Sequence, residues 1–404
     1  MPTAARERRW GLIAAIASVT VFGLSVGQAA PLLPLLLEQR GLDVTLNGLN
    51  AGATFLGVIA GPLLAPRLVR WFGVRDLLVA CFVLDIVLTL SLKLFDSLGA
   101  WFVLRILLGL VGSTIFTSAE AWINQLARDG ERGRIIGIYA AALSAGFGLG
   151  PVLLTLTGIN GWAPFLVNAA VVAVALLPLF AAGKEAGGFG RERGGSPIGM
   201  FLRAPLIMVT VAAFGLYEAA LMSLLPIWGL HTGLGEQLAT TILSAVYIGS
   251  IIMQVLIGWL SDRLSRVLAL LLCSVVGLLG ATLMLVVPTV PLLLFALVFV
   301  WGGLASGIYP VALSMAGDRF RGPDLVTVNA AIIISYGVGG LVGPALGGMA
   351  MQIDDPRGLL WLFVALFGGL LATTLPSAAR VARQDRIRRR APATAGPPPP
   401  PGTA

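Results

Sequence analysis

The chain has 404 residues, of which 57% are hydrophobic and 11% charged, with 27 Lys and Arg against 19 Asp and Glu for a net charge of +8. A water-soluble surface carries charge at about a quarter of all positions, so this composition excludes a soluble globular protein and places the chain in a bilayer. Crossing about 30 Å of hydrocarbon as a helix takes about 20 apolar residues, and no run of alternating strand-length segments is present, which excludes a β-barrel reading.

In chain order, apolar stretches predict twelve spans at about 10–37, 46–66, 74–95, 98–126, 133–158, 162–182, 203–231, 237–261, 266–287, 289–316, 325–351 and 358–376. The first follows Arg6, Arg8 and Arg9 as a secretory leader would, but its apolar core runs on to Leu37, too long for a cleaved segment, and it reads as a retained span. Residues 183–202, rich in Gly and charge, divide the spans six and six and read as a cytoplasmic linker between two bundles, 1–182 and 203–376. Residues 377–404 form a basic stretch and then a Pro-rich end from 391, expected to be a disordered cytoplasmic tail.

Lys and Arg resist translocation. With twelve spans and both termini cytoplasmic, every basic residue except Arg40, Lys93, Arg105 and Arg357 falls on the cytoplasmic side. The positive balance is a topological signature, and no nucleic-acid partner is implied.

The second half repeats the first. A shift of 192 or 193 residues lays Pro226 on Pro34, Gly233 on Gly41, Gly249 on Gly57, Gly302 on Gly109 and Pro344 on Pro151. Gly146, Gly150 and Pro151 in the fifth span ("AGFGLGPVLLT") recur as Gly339, Gly343 and Pro344 in the eleventh ("VGGLVGPALGG"), which alone continues to a final pair, Gly347 and Gly348. Small residues let helix backbones approach closely in lipid, and Pro bends a span near the contact, so these are expected to be hinge or interface helices. Two six-helix halves in parallel orientation fit a transporter that rocks one half against the other around a central site.

Buried charge marks the candidates for chemistry, because an ionisable residue within a span costs at least roughly a few kcal/mol. Asp85, Arg105, Glu120 and Glu218 qualify. Glu218, in the middle of the seventh span, is the first candidate to take up and release a proton as access alternates. Arg105 and Glu120, 15 positions apart on one helix, stand roughly 22 Å apart and need separate partners. Arg105 would attract an anion or influence a nearby acid, Glu120 would make a gating or substrate contact near the cytoplasmic end, and Asp85 has a polar neighbour in its own half as its plainer explanation. Asn124 and Tyr217 are further polar candidates for the cavity, and His231, at the outer end of the seventh span, reads as an interface residue. Cys81 and Cys273 sit inside apolar helices, where packing explains them and no disulfide or metal set is available. No Gly-x-x-x-x-Gly-Lys-Ser/Thr loop and no Cys or His cluster is present, so no cofactor, metal or enzymatic centre is expected.

The turn "GWLSDRLSR" resembles the Gly-x-Leu-x-Asp-Arg-x-Gly-Arg signature of the major facilitator superfamily, with Gly258, Leu260, Asp262, Arg263 and Arg266 matching and Ser265 in place of Gly. The first-half copy, "APRLVRWFGVR", keeps Leu68, Gly73 and Arg75 but has Arg70 where the acid belongs. Arg105 followed by Gly109, and "ERGR" at 131–134, are similar to further features of the family, while "SAEAWINQL" and "YEAALMSLLPIW" look like its bacterial YcaD-like branch. The resemblance spans the chain from the first helix to the twelfth. It implies an all-α membrane protein of twelve transmembrane helices in two pseudo-symmetric six-helix bundles, seated in the bacterial inner membrane.

It further implies a secondary transporter of a small organic molecule working by alternating access, with the first, fourth, seventh and tenth spans lining a cavity that would hold Arg105, Glu120 and Glu218. Gly258, Asp262, Arg263 and Arg266 would form a gate. The Gly-Pro motif is the one associated with antiporters, which favours proton-coupled export over uptake by symport. More acids than bases in the cavity tilt the expected substrate toward cationic or neutral molecules. Two complete halves make a working monomer. A non-transporting sensor or scaffold on the same helices is the alternative from another class.

Overall fold

The structure, a computed structural model, describes residues 2–127, 131–182, 196–286 and 290–390. Among them run fourteen helices: α1 Pro2–Gln39, α2 Val44–Phe72, α3 Val74–Leu94, α4 Leu98–Leu126, α5 Arg132–Thr157, α6 Ala163–Ala181, α7 Pro197–Arg203, α8 Pro205–His231, α9 Glu236–Arg263, α10 Arg266–Val286, α11 Pro291–Ala305, α12 Ile308–Arg319, α13 Gly322–Ile353 and α14 Gly358–Arg390. They supply twelve spans long and apolar enough to cross a membrane, α11 and α12 together forming the tenth. That span is broken, where one continuous helix is expected from its apolar sequence. At the break the Ser306 hydroxyl returns to the Gly302 carbonyl at 2.7 Å, and a Cβ at Gly307 would run into Ile257 and Cys273. Helix α14 continues through the basic stretch to Arg390. Residues 183–195 of the linker and the Pro-rich end from 391 lie outside the described residues.

In the first half α1 packs on α5, α2 on α4 and α3 on α6; in the second, α8 packs on α13, α9 on α11 and α10 on α14. The halves meet where α2 lies on α13 and where α5 lies on α9. Every pairing has its counterpart under the repeat, so the sequence shift is a pseudo-two-fold relation in space.

Apolar side chains gain nothing by leaving acyl tails, so these helices are held by close backbone approach. Gly57 of α2 lies against the Ile106 and Leu110 backbone of α4, and its repeat partner Gly249 of α9 lies against Phe299 of α11. The motif glycines act within each half: Gly146 and Gly150 face Thr20 and Gly27 of α1, and Gly339 and Gly343 face Ala212 and Leu216 of α8. Gly347 faces Leu224 of α8 and Leu359 of α14. The approach across the halves uses a second set, with Gly348 against Val44 and Thr45 of α2, Gly340 against Phe55, and Gly48 of α2 against Pro344. Both Pro151 and Pro344 lie inside continuous helices.

The start of α1 and the end of the last span share one end of the bundle, called here the terminal face; the other is the far face. At the far face the halves are joined by polar contacts. The Thr45 hydroxyl donates to Gln352 at 2.7 Å, the Gln352 amide donates to Asp43 at 2.6 Å, and the Thr155 hydroxyl lies 3.1 Å and 3.2 Å from those of Thr240 and Thr241. The halves are therefore closed there.

A side chain at Gly343 has the Leu216 backbone directly before it. Gly343→Leu is expected to push α8 from α13 at an overpacking cost of about 1–3 kcal/mol, read as a lower thermal midpoint of the purified protein. Gly369→Leu, which meets open space on α14, leaves the midpoint unchanged.

Candidate functional site

Glu218 sits midway along α8, and the Tyr336 hydroxyl of α13 donates to its Oε2 at 2.8 Å. Phe214, one turn earlier on the same face of α8, stacks on Tyr309 of α12 with centroids 4.8 Å apart. Tyr336 also lies 6.1 Å from Phe214 and 6.3 Å from Tyr309. The break in the tenth span places Tyr309 at the head of α12, facing this group. Phe55 of α2 meets Tyr336 edge-on at 5.8 Å, so the first half adds a ring to the cage.

A second aromatic path joins the halves beside it. Phe22 of α1 touches Phe116 of α4 and Phe147 of α5, and Phe147 stacks on Tyr247 of α9 at 5.9 Å. Glu120 of α4 lies within electrostatic reach of Tyr139 and Tyr309, and Glu218 within reach of Tyr247 and Tyr309. Tyr309 thus lies within electrostatic reach of two carboxyl groups, one from each half. Glu120, Glu218, Tyr309 and Tyr336 are all only partly buried. Asn124, one turn beyond Glu120, donates from its amide to the Glu120 carbonyl at 3.0 Å.

Other sequence candidates make most of their contacts elsewhere. Tyr217 is fully buried, edge-on to Trp301 at 5.6 Å and to Phe363 and Phe367 at 5.3 Å each, and its ring centroid lies 6.5 Å from that of Phe214. A step of one residue turns a helix by about 100°, so Tyr217 leads from Phe214 into the core of the second half while Glu218 meets Tyr336. Asp85 is buried beside Cys81 on α3, which packs on α4 and α6. Arg105 is buried one turn before Gly109, with Nε and Nη2 lacking hydrogen-bond partners. Among the described residues no group of His, Cys, Asp and Glu forms a metal site.

The turn from α9 to α10 lies at the terminal face. Arg266 donates to Asp318 of α12 at 3.1 Å and to Ser261 at 2.8 Å, and the Arg263 guanidinium covers the Trp259 ring at 4.2 Å. Gly258 has open space around it. The side chain of Asp262 lies outside the described residues. In the first half Arg75 plays a related part, donating to the Leu179 carbonyl of α6 at 2.9 Å. Phe214, Tyr336 and Asp318 are missed by sequence reasoning. The signal available for Tyr336 was a phenol interrupting an aliphatic and glycine span.

Two pseudo-symmetric halves of six spans, closed on one another at one face around a central aromatic and acidic cage, define the architecture of a membrane transporter. The chain belongs to the Major Facilitator Superfamily, whose model matches residues 13–241 and again 207–401. It is similar to the MFS-type transporter YfkF of Bacillus subtilis (strain 168), 27% identical over 356 residues that make up 86% of this chain and 90% of that protein. Its fold is shared with the nucleoside transporter NupG at a TM-score of 0.75 and 13% identity, over 92% of this chain and 98% of that one. A bacterial homologue of the human lysosomal transporter Spinster, in an inward-facing and unoccupied conformation, matches at a TM-score of 0.70 and 14% identity, over 91% and 94%. The protein is a multi-pass membrane transporter and not an enzyme.

Arg266 and Asp318 are 29% and 60% exposed, so their pair is worth under about 1 kcal/mol. Asp318→Asn is expected to leave the thermal midpoint nearly unchanged while raising thiol labelling of a cysteine placed at Ser265. A large drop in the midpoint with no change in labelling would mark the pair as structural.

Proposed function

We propose that the protein is a proton-coupled exporter that exchanges a small organic cation, or a neutral molecule with a polarised amine, for protons by alternating access. The Glu218 carboxyl, held by Tyr336 in a ring cage to which both halves contribute, is the observation that carries this reading. Ring faces attract cations and a carboxylate adds a full charge, so the cage suits an amphipathic cation better than an anion. A proton and a cation compete for one carboxylate. Binding of either therefore weakens binding of the other, which is the linkage that antiport requires.

Glu120 supplies the second acid from the first half, while Asn124 and the gating turn lie further toward the terminal face. The positive-inside pattern makes that face cytoplasmic, with both termini, the linker 183–202 and the tail 377–404 on the cytoplasmic side of a bacterial inner membrane. The bundles 1–182 and 203–376 are the rocking units, and their polar contacts at the far face support access to the cage from the other side. Asp85 and Tyr217 serve packing within their halves. Arg105, with Nε and Nη2 unpaired, is the polar partner that the first half presents when the halves rearrange. One chain supplies every part of the cage, so the monomer is the working unit.

The test is proton flux in proteoliposomes while pools of cationic, neutral and anionic metabolites are screened. A cationic pool is expected to evoke proton movement opposite to substrate movement. Glu218→Gln is expected to reduce that proton movement at least tenfold and to weaken cation binding, leaving a residual affinity from the rings that no longer changes with pH. Proton movement in the same direction as the substrate would replace antiport by symport, and unchanged coupling in Glu218→Gln would remove this residue from the mechanism.

A further inference from the structure

His231 is the chain's one histidine and ends α8 at the far face. Both ring nitrogens are engaged. Nδ1 lies 2.7 Å from Asp355 Oδ1, in the turn between α13 and α14, and Nε2 lies 2.8 Å from Glu38 Oε1, near the end of α1. The second contact crosses between the halves. Glu38 and His231 are 193 positions apart, one off the shift of 192 that pairs Pro34 with Pro226 and Gly41 with Gly233, so the contact lies beside the pseudo-two-fold axis. The ends of α1 and α8 must part there for the far face to open.

Counting hydrogens shows what this arrangement requires. A neutral imidazole carries one N–H and can donate to one carboxylate, leaving a lone pair turned toward the other. Keeping both contacts takes one further proton, on the second ring nitrogen or on a carboxyl. Glu38 Oε2 is buried without a donor, and the Glu38 and His231 side chains are each only 22% exposed, so water does not readily fill that role.

The neighbouring charged groups are otherwise occupied. Asp354 accepts from the Trp361 indole at 3.0 Å, Asp43 accepts from Gln352, and Arg40 pairs with Asp96 at 3.0 Å. Glu236 at the start of α9 and Arg357 ahead of α14 are exposed to solvent.

We propose that Glu38, His231 and Asp355 form a second proton-binding site, separate from Glu218, that is occupied when the far face is closed and empties when it opens. The closed form then holds one proton more than the open form. As pH at that face rises, the ratio of closed to open molecules falls by up to about tenfold per pH unit. The site senses acidity on the side from which coupled protons would enter. It depends on the halves parting at the far face and not on what Glu218 binds.

Spin labels at Trp162→Cys, between α5 and α6, and Leu292→Cys, at the start of α11, report that separation from exposed positions of opposite halves. Cys81 and Cys273 are buried and leave the labels selective. Distances are measured in nanodiscs from pH 5.5 to 8.5, in the otherwise native chain and in a Glu218→Gln background that removes the central carboxyl. The long-distance population is expected to grow with pH in both, by at least tenfold relative to the short one.

His231→Gln is expected to abolish the pH dependence. Glu38→Gln is expected to keep the face closed throughout, because its amide donates to Nε2 while Nδ1–H donates to Asp355, meeting both contacts without the added proton. Elution profile and thermal midpoint confirm folding of each variant. A native distribution that ignores pH overturns the proposal, as does a native-like pH response in either variant.

Discussion

Helix α13 touches the rest of the protein through its backbone on two sides, and the arrangement of the whole molecule follows from that. In lipid there is no hydrophobic return for bringing apolar helices together, so attraction comes from the contact of many atoms at close range and from hydrogen bonds. Gly339 and Gly343 bring α13 onto α8 within the second half, and Gly340 and Gly348 bring it onto α2 of the first. Between these faces the helix carries Tyr336, the donor to Glu218. A shift of α13 relative to α2 therefore acts directly on the phenol that holds the central carboxyl. Site and closure share one rigid element.

Contacts within a half differ in kind from those between halves. Within each half, glycine pairs such as Gly57 with Ile106 and Gly249 with Phe299 lock backbone on backbone along buried lengths. Between halves, the same closeness along α2 and α13 is accompanied by side-chain hydrogen bonds at the far face, Asp43 with Gln352 and Thr155 with Thr240 and Thr241. Such bonds exchange readily for water and contribute about 0.5–1.5 kcal/mol each. Two stiff bundles joined by breakable polar contacts can move as units, which is the physical content of alternating access.

Span number, parallel halves and the packing glycines were legible in the sequence, because hydropathy and backbone approach both leave marks on residue type. Gly57 and Gly249, matched by the repeat, are the same contact in each half. The broken tenth span was not legible. Hydropathy reads straight through it, and its only local marks are Ser306, Gly307 and Pro310, the last of which has no N–H to donate to the Ser306 carbonyl. Glu218 was legible as a buried charge, but Tyr336, Phe214 and Asp318 gain their roles only from tertiary pairing. Tyr217, a polar aromatic beside Glu218 in sequence, sets its ring against Trp301 in the core and keeps it 6.5 Å from Phe214. The motif glycines Gly146, Gly150, Gly339 and Gly343 were expected at a hinge or interface, and they lie at interfaces inside the halves, while the glycines facing across are their neighbours in the same spans.

The proposed transport cycle requires α2 to separate from α13 at the far face. Cysteines at Thr45 and Gln352, whose side chains already touch at 2.7 Å, can join the two helices there by an oxidative cross-link. Substrate-evoked flux in proteoliposomes should stop on oxidation and return on reduction, with each single cysteine variant unaffected by either treatment. Undiminished flux through fully cross-linked protein would contradict the account, since the far face would then have no part in the transport cycle.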